Sequence, residues 1–268
     1  MLSTESLKID TLEICKKITD FIRFQVEISG LECAVVSVSG GLDSAVTLAL
    51  TVKALGPERV RAVTMPERDI TPESDITDVM QLAGTLDVTC DTVEITGVTR
   101  AMRDILPLYD GSDRISTGNL MARVRMIIVY HYANALRSMV IGSSNKSEWL
   151  TGYFTKYGDG AADILPLAGL YKNQVRQLAR HLGIPEKIVK KTPTAGLWPG
   201  QTDEGELGVT YDNLDLILHR RERGMNEREI ASELNLDVSL VRGIFDRVRN
   251  SEHKRRPPLI LRLSTVNE

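Results

Sequence analysis

The chain has 268 residues, of which 42% are hydrophobic and 26% are charged, and its net charge is −3. This composition is typical of a globular protein with a sizeable core, and a charge so near zero gives no reason to expect nucleic acid or an anionic membrane as a partner. No apolar stretch is long enough to span a bilayer, residues 1–10 lack the features of a signal peptide, and the three cysteines have no metal-ligand spacing, so we expect a cytoplasmic protein.

Helices and strands alternate in the first two thirds of the chain. After an opening helix over 5–29, the hydrophobic pattern predicts a strand that ends near Ser39. Further helices are expected at 43–55, 75–85, 97–106 and 118–138, and further strands at 60–65, 88–95 and 139–141. Strands separated by helices of this length indicate an α/β fold, with a Rossmann-like parallel sheet that carries helices on both faces.

The rest of the chain is predicted to be mostly helical. Helices are expected at 172–183, 211–222, 226–234 and 238–251, with a functional loop over 149–170 and a Pro- and Gly-rich loop over 192–208. We interpret residues 1–268 as a single domain, in which an N-terminal helix over 1–30 and an α/β core over 31–170 precede a helical part over 171–268.

The predicted helix over 118–138 is apolar on more than one side. Such a helix must be covered on both flanks, either inside one core or between the sheet and a second subunit. We favour the second arrangement and predict a homodimer, although one sequence leaves both open.

The strongest chemical signal follows the first strand, where the chain reads Ser37-Val38-Ser39-Gly40-Gly41-Leu42-Asp43-Ser44. The glycines let backbone N–H groups approach an anion, the helix start adds its positive dipole end, and the serines can donate further hydrogen bonds. A carboxylate among phosphates requires a cation between them, so Asp43 predicts Mg²⁺ shared with a polyphosphate. The adjacent glycines fit neither a Walker loop nor a dinucleotide fingerprint.

This stretch resembles the Ser-Gly-Gly-x-Asp-Ser loop of the N-type ATP pyrophosphatases. In that superfamily ATP is cut between its α and β phosphates, and the loop holds the departing pyrophosphate. The sequence alone therefore indicates an ATP-using enzyme but leaves the second substrate open.

Four more blocks, at 119–125, 142–148, 151–163 and 252–258, follow the order and spacing of NAD synthetases. The resemblance covers residues 20–260 and implies that the carboxylate of deamido-NAD attacks the α-phosphate of ATP, after which ammonia displaces AMP. It implies ATP-binding residues at Ser37, Val38, Ser39, Gly40, Gly41, Leu42, Asp43, Ser44, Ser143, Lys172 and Thr194. It also implies deamido-NAD contacts at Arg123, Lys156, Asp163, His253 and Lys254.

Three charged residues are expected to act at the reaction centre, namely Asp43, Glu148 and Lys172. Asp43 and Glu148 are oxygen ligands that suit Mg²⁺. Glu148 could instead cap its own helix, and the resemblance favours the metal. Lys172 begins a helix, where its charge opposes the dipole, so a ligand phosphate would explain it.

Several roles are less determined by the sequence. Arg123 lies among apolar neighbours, where an unpaired guanidinium would be costly. The glycines at 158–160 could form a lid or a plain turn, and adenine is expected near Val38 and Met65. No side chain identifies itself as the general base for ammonia, and Asp163 or a phosphate oxygen could serve.

Two other functions compete with this one. Residues 227–244 resemble a helix-turn-helix followed by a basic cluster, but the second helix has nearly balanced charge, which disfavours DNA. A GMP-synthetase-like amination or a tRNA thiolation would use the same ATP loop, although the cysteines are poorly placed for thiolation. Only about thirty residues precede the first strand, so we expect free ammonia as the nitrogen source.

Overall fold

The computed structural model describes residues 4–261, and its centre is a parallel sheet. The strands are β1 (Cys33–Ser37), β2 (Val60–Thr64), β3 (Thr89–Thr92) and β4 (Ser138–Ile141). Their order is β3-β2-β1-β4, with Val36 of β1 opposite Ala62 of β2 and Ile141 of β4. The chain leaves β1 toward β2 and later returns to the other side of β1, so the strand order reverses between β1 and β4. Ligands of open α/β sheets bind at such a position.

Helices cover both faces of this sheet, as the alternating direction of strand side chains requires. The helices are α1 (Thr11–Ile28), α2 (Leu42–Leu55), α3 (Glu73–Thr85), α4 (Thr96–Ile105), α5 (Arg114–Ala135), α6 (Lys146–Thr151), α7 (Lys172–His181), α8 (Glu186–Val189), α9 (Asp203–Leu207), α10 (Tyr211–Glu222), α11 (Glu227–Leu234) and α12 (Val238–Asn250). On β1, Ala34 and Val36 pack against α1, α2 and α7, whereas Val35 packs against α5. The predicted α/β fold is therefore confirmed.

The long apolar helix lies earlier than its sequence pattern indicates. The prediction was 118–138, but α5 begins at Arg114, because Asp113 caps it by accepting hydrogen bonds from the N–H groups of Ile115 and Ser116. The helix ends at Ala135, before Arg137 with its positive φ of 50°. Despite its length and apolar content, neither α5 nor another helix within residues 4–261 is long and apolar enough to cross a membrane.

A second apolar cluster lies in the C-terminal helices. It unites Tyr211 and Leu214 of α10 with residues of α11 and α12, and Leu7 from the N-terminus joins it. Helices α7 and α8 pack instead in the cluster of α1, α2 and the sheet. The predicted boundary at residue 170 therefore does not coincide with a boundary between clusters, and the division of the chain stays a prediction. Residues 262–268 of the predicted helical part lie outside the described residues.

Candidate active site

The carboxyl ends of β1, β2 and β4 open into one cavity of about 810 Å³. Its wall is completed by α6, by the start of α7 and by the loop that leads into α9. Of the predicted ATP-binding residues, only Gly40 is absent from the lining; those present are Ser37, Val38, Ser39, Gly41, Leu42, Asp43, Ser44, Ser143, Lys172 and Thr194. Residues far apart in the sequence are thus brought to the point where the strand order reverses.

The loop between β1 and α2 is held by its own hydroxyl groups. The Ser44 hydroxyl accepts a hydrogen bond from the Ser39 N–H (3.2 Å) and donates one to the Gly41 carbonyl (3.1 Å). Gly40 has a φ of +77°, and a Cβ there would lie 2.9 Å from the Asp75 carbonyl oxygen, so both its conformation and its surroundings require glycine. Contacts within the loop and with Asp75 thus fix its conformation, and its binding of an anion stays a prediction.

Three charged side chains meet at the inner end of the cavity. The Lys172 ammonium donates to Asp43 and, over 3.3 Å, to Glu148 Oε1, although the three residues come from α7, α2 and α6. Lys172 is only 4% exposed, and its two partners are 14% and 15% exposed. The lysine therefore has two carboxylate partners that account for its burial, and its contact with a phosphate stays a prediction.

Burial and charge compete within this group. Burial raises the pKa of Glu148, the nearby Asp43 raises it further, and the Lys172 ammonium opposes both. Burial would lower the pKa of Lys172, but the charges of Asp43 and Glu148 outweigh burial, and the net direction is upward. Lys172 is accordingly protonated at neutral pH and holds the two acidic side chains together.

Glu148 uses one carboxylate oxygen at the start of its own helix and the other toward Lys172. Its Oε2 accepts a hydrogen bond from the Asn145 N–H (3.2 Å), and the Asn145 side chain accepts one from the Glu148 N–H (3.0 Å), which makes a capping box for α6. Its Oε1 is directed to Lys172. Asn145 also donates to Asp43 Oδ1 (3.0 Å), so one residue positions both predicted metal ligands.

The donor set suits Mg²⁺ bound together with phosphates. Two carboxylates converge on one ammonium at the cavity wall, and Mg²⁺ in ATP-using enzymes is commonly held by one or two carboxylates, water and the phosphates themselves. Within residues 4–261 no group of three or more His, Cys, Asp or Glu side chains is arranged to hold a metal by itself. The phosphates and water would therefore have to supply the remaining ligands.

Four of the five predicted deamido-NAD residues lie together at the edge of the site. Arg123 donates to the Lys156 carbonyl (3.3 Å), and the Lys156 ammonium donates to the His253 carbonyl (2.7 Å). The Lys254 ammonium donates to the carbonyls of Gly152 and Phe154, each at 2.8 Å. Of the five, Lys254 alone lines the cavity.

The fifth residue lies apart from the other four. Asp163 accepts hydrogen bonds from the Val140 N–H (2.7 Å) and from the Tyr130 hydroxyl (3.3 Å), and thereby ties the loop after α6 to β4. It does not line the cavity. Its proposed contact with deamido-NAD stays a prediction.

The burial argument for Arg123 is wrong. Arg123 is exposed, because it points away from the apolar side of α5 that packs on the sheet. The buried arginine of that block is Arg125, which lines the cavity and donates to the Met65 carbonyl (3.1 Å). In the sequence both arginines stand among apolar residues, and only the fold shows that Arg125 faces the cavity whereas Arg123 is exposed.

The glycines at 158–160 are packed closely. A Cβ at Gly160 would lie 2.3 Å from the Phe154 ring, and one at Gly158 would lie 2.9 Å from Thr155. Both glycine N–H groups donate to the Thr155 carbonyl. Close packing is therefore a sufficient reason for these glycines, and the lid stays a prediction.

Sequence reasoning missed several polar residues of the site. Lys191 pairs with Asp75 (2.6 Å) and donates to the Gly40 carbonyl (3.2 Å). These contacts tie the loop before α9 to the loop between β1 and α2. Asp203 and Tyr211 lie beside Glu148, and the Tyr211 hydroxyl is 3.0 Å from Asp203 Oδ2 and 3.4 Å from Glu148 Oε1. In the sequence, Asp203 falls in the predicted Pro- and Gly-rich loop over 192–208, and nothing there indicated a role in the site.

A further buried carboxylate supports the site from behind. Asp215 of α10 accepts hydrogen bonds from the Ser147 hydroxyl (2.5 Å) and from the Asn173 N–H (2.8 Å). Ser147 precedes Glu148, and Asn173 follows Lys172. Asp215 thus fixes the relative positions of α6 and α7.

Known proteins with similar sequences cover nearly the whole chain. The family model described as NAD synthase matches residues 14–258. The "NH(3)-dependent NAD(+) synthetase" of Methanosarcina acetivorans is 44% identical over 242 residues, which are 90% of this chain and 94% of the relative. The protein of the same name from Hyperthermus butylicus is 46% identical over 255 residues, or 95% and 92% of the two chains.

Two solved structures are also similar to this chain over nearly its whole length. The NMN synthetase from Francisella tularensis has a TM-score of 0.85 at 34% identity, and the match covers 96% of this chain and 100% of that one. The NH3-dependent NAD synthetase from Campylobacter jejuni has a TM-score of 0.80 at 31% identity, with 95% and 100% covered.

Proposed function

Because the chain belongs to the NAD synthase family, we propose that it amidates deamido-NAD with ammonia at the expense of ATP, giving NAD⁺, AMP and pyrophosphate through an adenylated intermediate. The observation that carries this proposal is the cavity at the reversal of strand order, where the phosphate loop faces the group of Asp43, Glu148 and Lys172. A carboxylate and a polyphosphate are both anions, so a site that joins them must supply fixed positive groups.

The residues of the loop have a defined task in this reaction. The backbone N–H groups around Gly41 and the start of α2 would bind the departing pyrophosphate, and the closed conformation of the loop means that little reorganisation is needed. Lys172 would stabilise the charge that develops on the phosphate oxygens, and Ser143 and Thr194 would position ATP from the opposite wall. Val38 and Met65 are buried at the strand ends and would contact adenine.

Mg²⁺ would be held by Asp43 and Glu148. When bound, it neutralises phosphate charge and makes pyrophosphate a better leaving group. Asn145 and the capping box keep the two carboxylates in place, and Asp215 holds α6, which carries Glu148, against α7, which carries Lys172.

Deamido-NAD would approach from the edge formed by Arg123, Lys156, His253 and Lys254. This edge adjoins the cavity through Lys254 and carries exposed cationic groups suited to the pyrophosphate of a dinucleotide. Asp163 would complete this contact from the loop after α6.

The protein would act as a homodimer. Helix α5 leaves Ile115 and Ile127 70% and 63% exposed, and Leu108 in the preceding segment is 97% exposed. Exposed apolar side chains on α5 and in the segment before it favour contact with a second copy. The predicted cytoplasmic location stays a prediction.

A smaller substrate is the second candidate. One of the similar solved structures is an NMN synthetase. NMN is the amide of nicotinate mononucleotide, which carries the same nicotinate carboxylate as deamido-NAD but lacks the adenylate half. Most of the residues expected to contact the dinucleotide lie outside the cavity, so a mononucleotide would lose those contacts but could still reach the reaction centre.

Neither a different ATP-pyrophosphatase reaction nor DNA binding is favoured. The similarity to NAD synthases disfavours GMP-synthetase-like amination and tRNA thiolation. On the helix-turn-helix-like segment, Arg242 pairs with Glu227 (3.0 Å) and Arg249 pairs with Asp246, so these cations are already neutralised and little attraction for DNA phosphates remains.

The test is a comparison of substrates with ATP, Mg²⁺ and ammonium. We expect pyrophosphate and the amide product from deamido-NAD, with a much lower kcat/KM for nicotinate mononucleotide and none for xanthosine monophosphate. The variants Asp43→Asn and Glu148→Gln should release pyrophosphate at least about 100-fold more slowly. A higher kcat/KM for the mononucleotide would establish the second candidate, and near-normal rates in both variants would contradict the metal site.

A further inference from the structure

The carboxylate of Asp203 is buried at the cavity wall with one oxygen unsatisfied. Asp203 is 4% exposed and lines the cavity at the first position of α9. Its Oδ2 accepts a hydrogen bond from the Tyr211 hydroxyl (3.0 Å). Its Oδ1 is buried and has no hydrogen-bond partner among residues 4–261.

A buried carboxylate needs a partner, and the nearby cation is already taken. Lys172 contacts Asp43 and Glu148, and in the part of the chain that the structure describes Asp203 takes part in no ion pair. Burial accordingly raises the pKa of Asp203, and the charge of Lys172 together with the hydroxyls of Tyr211 and Tyr153 offsets this only in part. Leaving a buried acceptor unsatisfied costs about 1–3 kcal/mol, so a bound donor would be favoured here.

The groups around Oδ1 are acceptors of hydrogen bonds. The Tyr211 hydroxyl has its proton directed to carboxylates, and the Tyr153 hydroxyl donates to Glu206 Oε2 (2.5 Å). Both phenol oxygens can therefore only accept from a further ligand. A site of one carboxylate oxygen and hydroxyl oxygens suits a small cation that donates several hydrogen bonds.

We propose that Asp203 Oδ1 binds the ammonium ion that supplies the nitrogen. This inference rests on the proposed function and concerns the one substrate for which the sequence showed no residue. Ammonia is mostly protonated at neutral pH, so an anionic site would concentrate it next to Glu148 and Lys172, where the adenylate forms. Asp203 would hold the ion until the carbonyl is activated; the ion would then give one proton to water, its nitrogen would form the C–N bond, and the bond from the carbonyl carbon to AMP would break. Asp203 is therefore a binding residue for the second half-reaction, and its loss should affect ammonium more than adenylation.

The test separates the two half-reactions. In Asp203→Asn, the KM for ammonium should rise by about tenfold to a hundredfold, because a charge-assisted hydrogen bond is lost. The KM values for ATP and deamido-NAD, and the rate of ATP–pyrophosphate exchange without ammonium, should change several-fold less than the KM for ammonium, because Asp203 acts on Glu148 and Lys172 only through its charge and through Tyr211. Hydroxylamine is uncharged at neutral pH and attacks the same adenylate, so its conversion to the hydroxamate with release of AMP should also be little affected.

Glu206→Gln is the matched control. It removes the same charge from the same short helix and the same cavity wall, but the oxygen concerned already accepts from Tyr153 and from Gln201 (3.0 Å). Its KM for ammonium should stay within about twofold of that of the unaltered protein. An equal rise in both variants would show general attraction of cations by the wall and would overturn the proposal.

Other results would also overturn it. An unchanged KM for ammonium in Asp203→Asn, or an equal loss of turnover with ammonium and hydroxylamine, would exclude a specific ammonium site. Absence of any pyrophosphate exchange in the unaltered protein would instead refute the proposed function.

A measurement on the unaltered protein covers the case in which the variant does not fold. Crystals soaked in thallium(I), a cation of similar size, should show an anomalous peak beside Asp203 Oδ1 that ammonium reduces. No peak at that oxygen would contradict the site.

Discussion

Replacement of Lys172 by methionine tests whether one ammonium holds the reaction centre together. Methionine keeps much of the length and the apolar stem of lysine but removes the charge. Asp43 and Glu148 would then face each other, about 14% and 15% exposed, without the cation that now contacts both. Removing one partner from a buried ion pair costs about 3–5 kcal/mol, because the remaining charge stays buried and unpaired.

The expected loss can be read from thermal unfolding. In a protein of this size, each kcal/mol shifts the Tm by roughly 2–4 °C, so Lys172→Met should lower the Tm by about 6 °C or more. Mg²⁺ should raise the Tm of the variant more than that of the unaltered protein, because the two carboxylates lose their competing cation and binding to the folded state adds stability. Differential scanning fluorimetry across a Mg²⁺ titration measures both effects.

Lys146→Met is the control for loss of a lysine in this region. Lys146 pairs with Glu222 at 2.6 Å, but the two side chains are 22% and 36% exposed, so solvent weakens the pair. A partly exposed pair of this kind contributes about 1 kcal/mol or less, and the Tm should fall by at most about 2–4 °C. If the two variants had equal Tm values and equal responses to Mg²⁺, the assigned role of Lys172 would be refuted.

Three further predictions follow from particular contacts. Burial raises the pKa of Asp215 to about 6 from a usual 3.8, so between these pH values the folded state holds a proton that the unfolded chain loses. The free energy of unfolding should therefore decline by about 3 kcal/mol as the pH rises from about 4 to 6. Urea unfolding of Asp215→Asn should lack this decline, and an unchanged dependence on pH would contradict the argument. Gly160→Ala should lower the free energy of unfolding by about 1–3 kcal/mol through its clash with Phe154, whereas Gly97→Ala, with no atom within 4 Å of the new Cβ, should be neutral or stabilising. Equal Tm values of the two variants would exclude the packing argument. Ile127→Asp should shift the protein from dimer to monomer in analytical ultracentrifugation, and a dimer of unchanged Kd would place the interface elsewhere.

The sheet could be predicted from the sequence because its two central runs, β1 and β2, are rich in β-branched residues and the strands alternate with helices of regular period. The predicted strand 60–65 differs from β2 by one residue, and the predicted helix 211–222 matches α10. Helices α6, α8 and α9 were missed because they have four to six residues, too few to establish a helical period. The start of α5 depended on the cap at Asp113, a local hydrogen bond that an apolar pattern does not report.

The reaction centre was predictable as a set of residues but not as an arrangement. Asp43 and Glu148 were expected near each other because both follow strand ends, and the fold does bring them to one lysine. Nothing in the sequence showed that Asn145 bonds to both, or that Asp215 fixes α6 against α7 from a helix forty residues further along. Such second partners arise from tertiary packing, and hydrophobic periodicity carries no information about them.

The charge at the inner end of the cavity explains why two kinds of cation are expected there. Three carboxylates, Asp43, Glu148 and Asp203, surround the single ammonium of Lys172, although the phosphate loop beside them is built for an anion. ATP without a metal would meet this negative wall, whereas ATP with a divalent cation would replace the missing positive charge at Asp43 and Glu148. Asp203 remains outside that compensation because, within residues 4–261, it forms no ion pair with Lys172. A separate monovalent cation therefore completes the balance, and ammonium is the one that the reaction consumes.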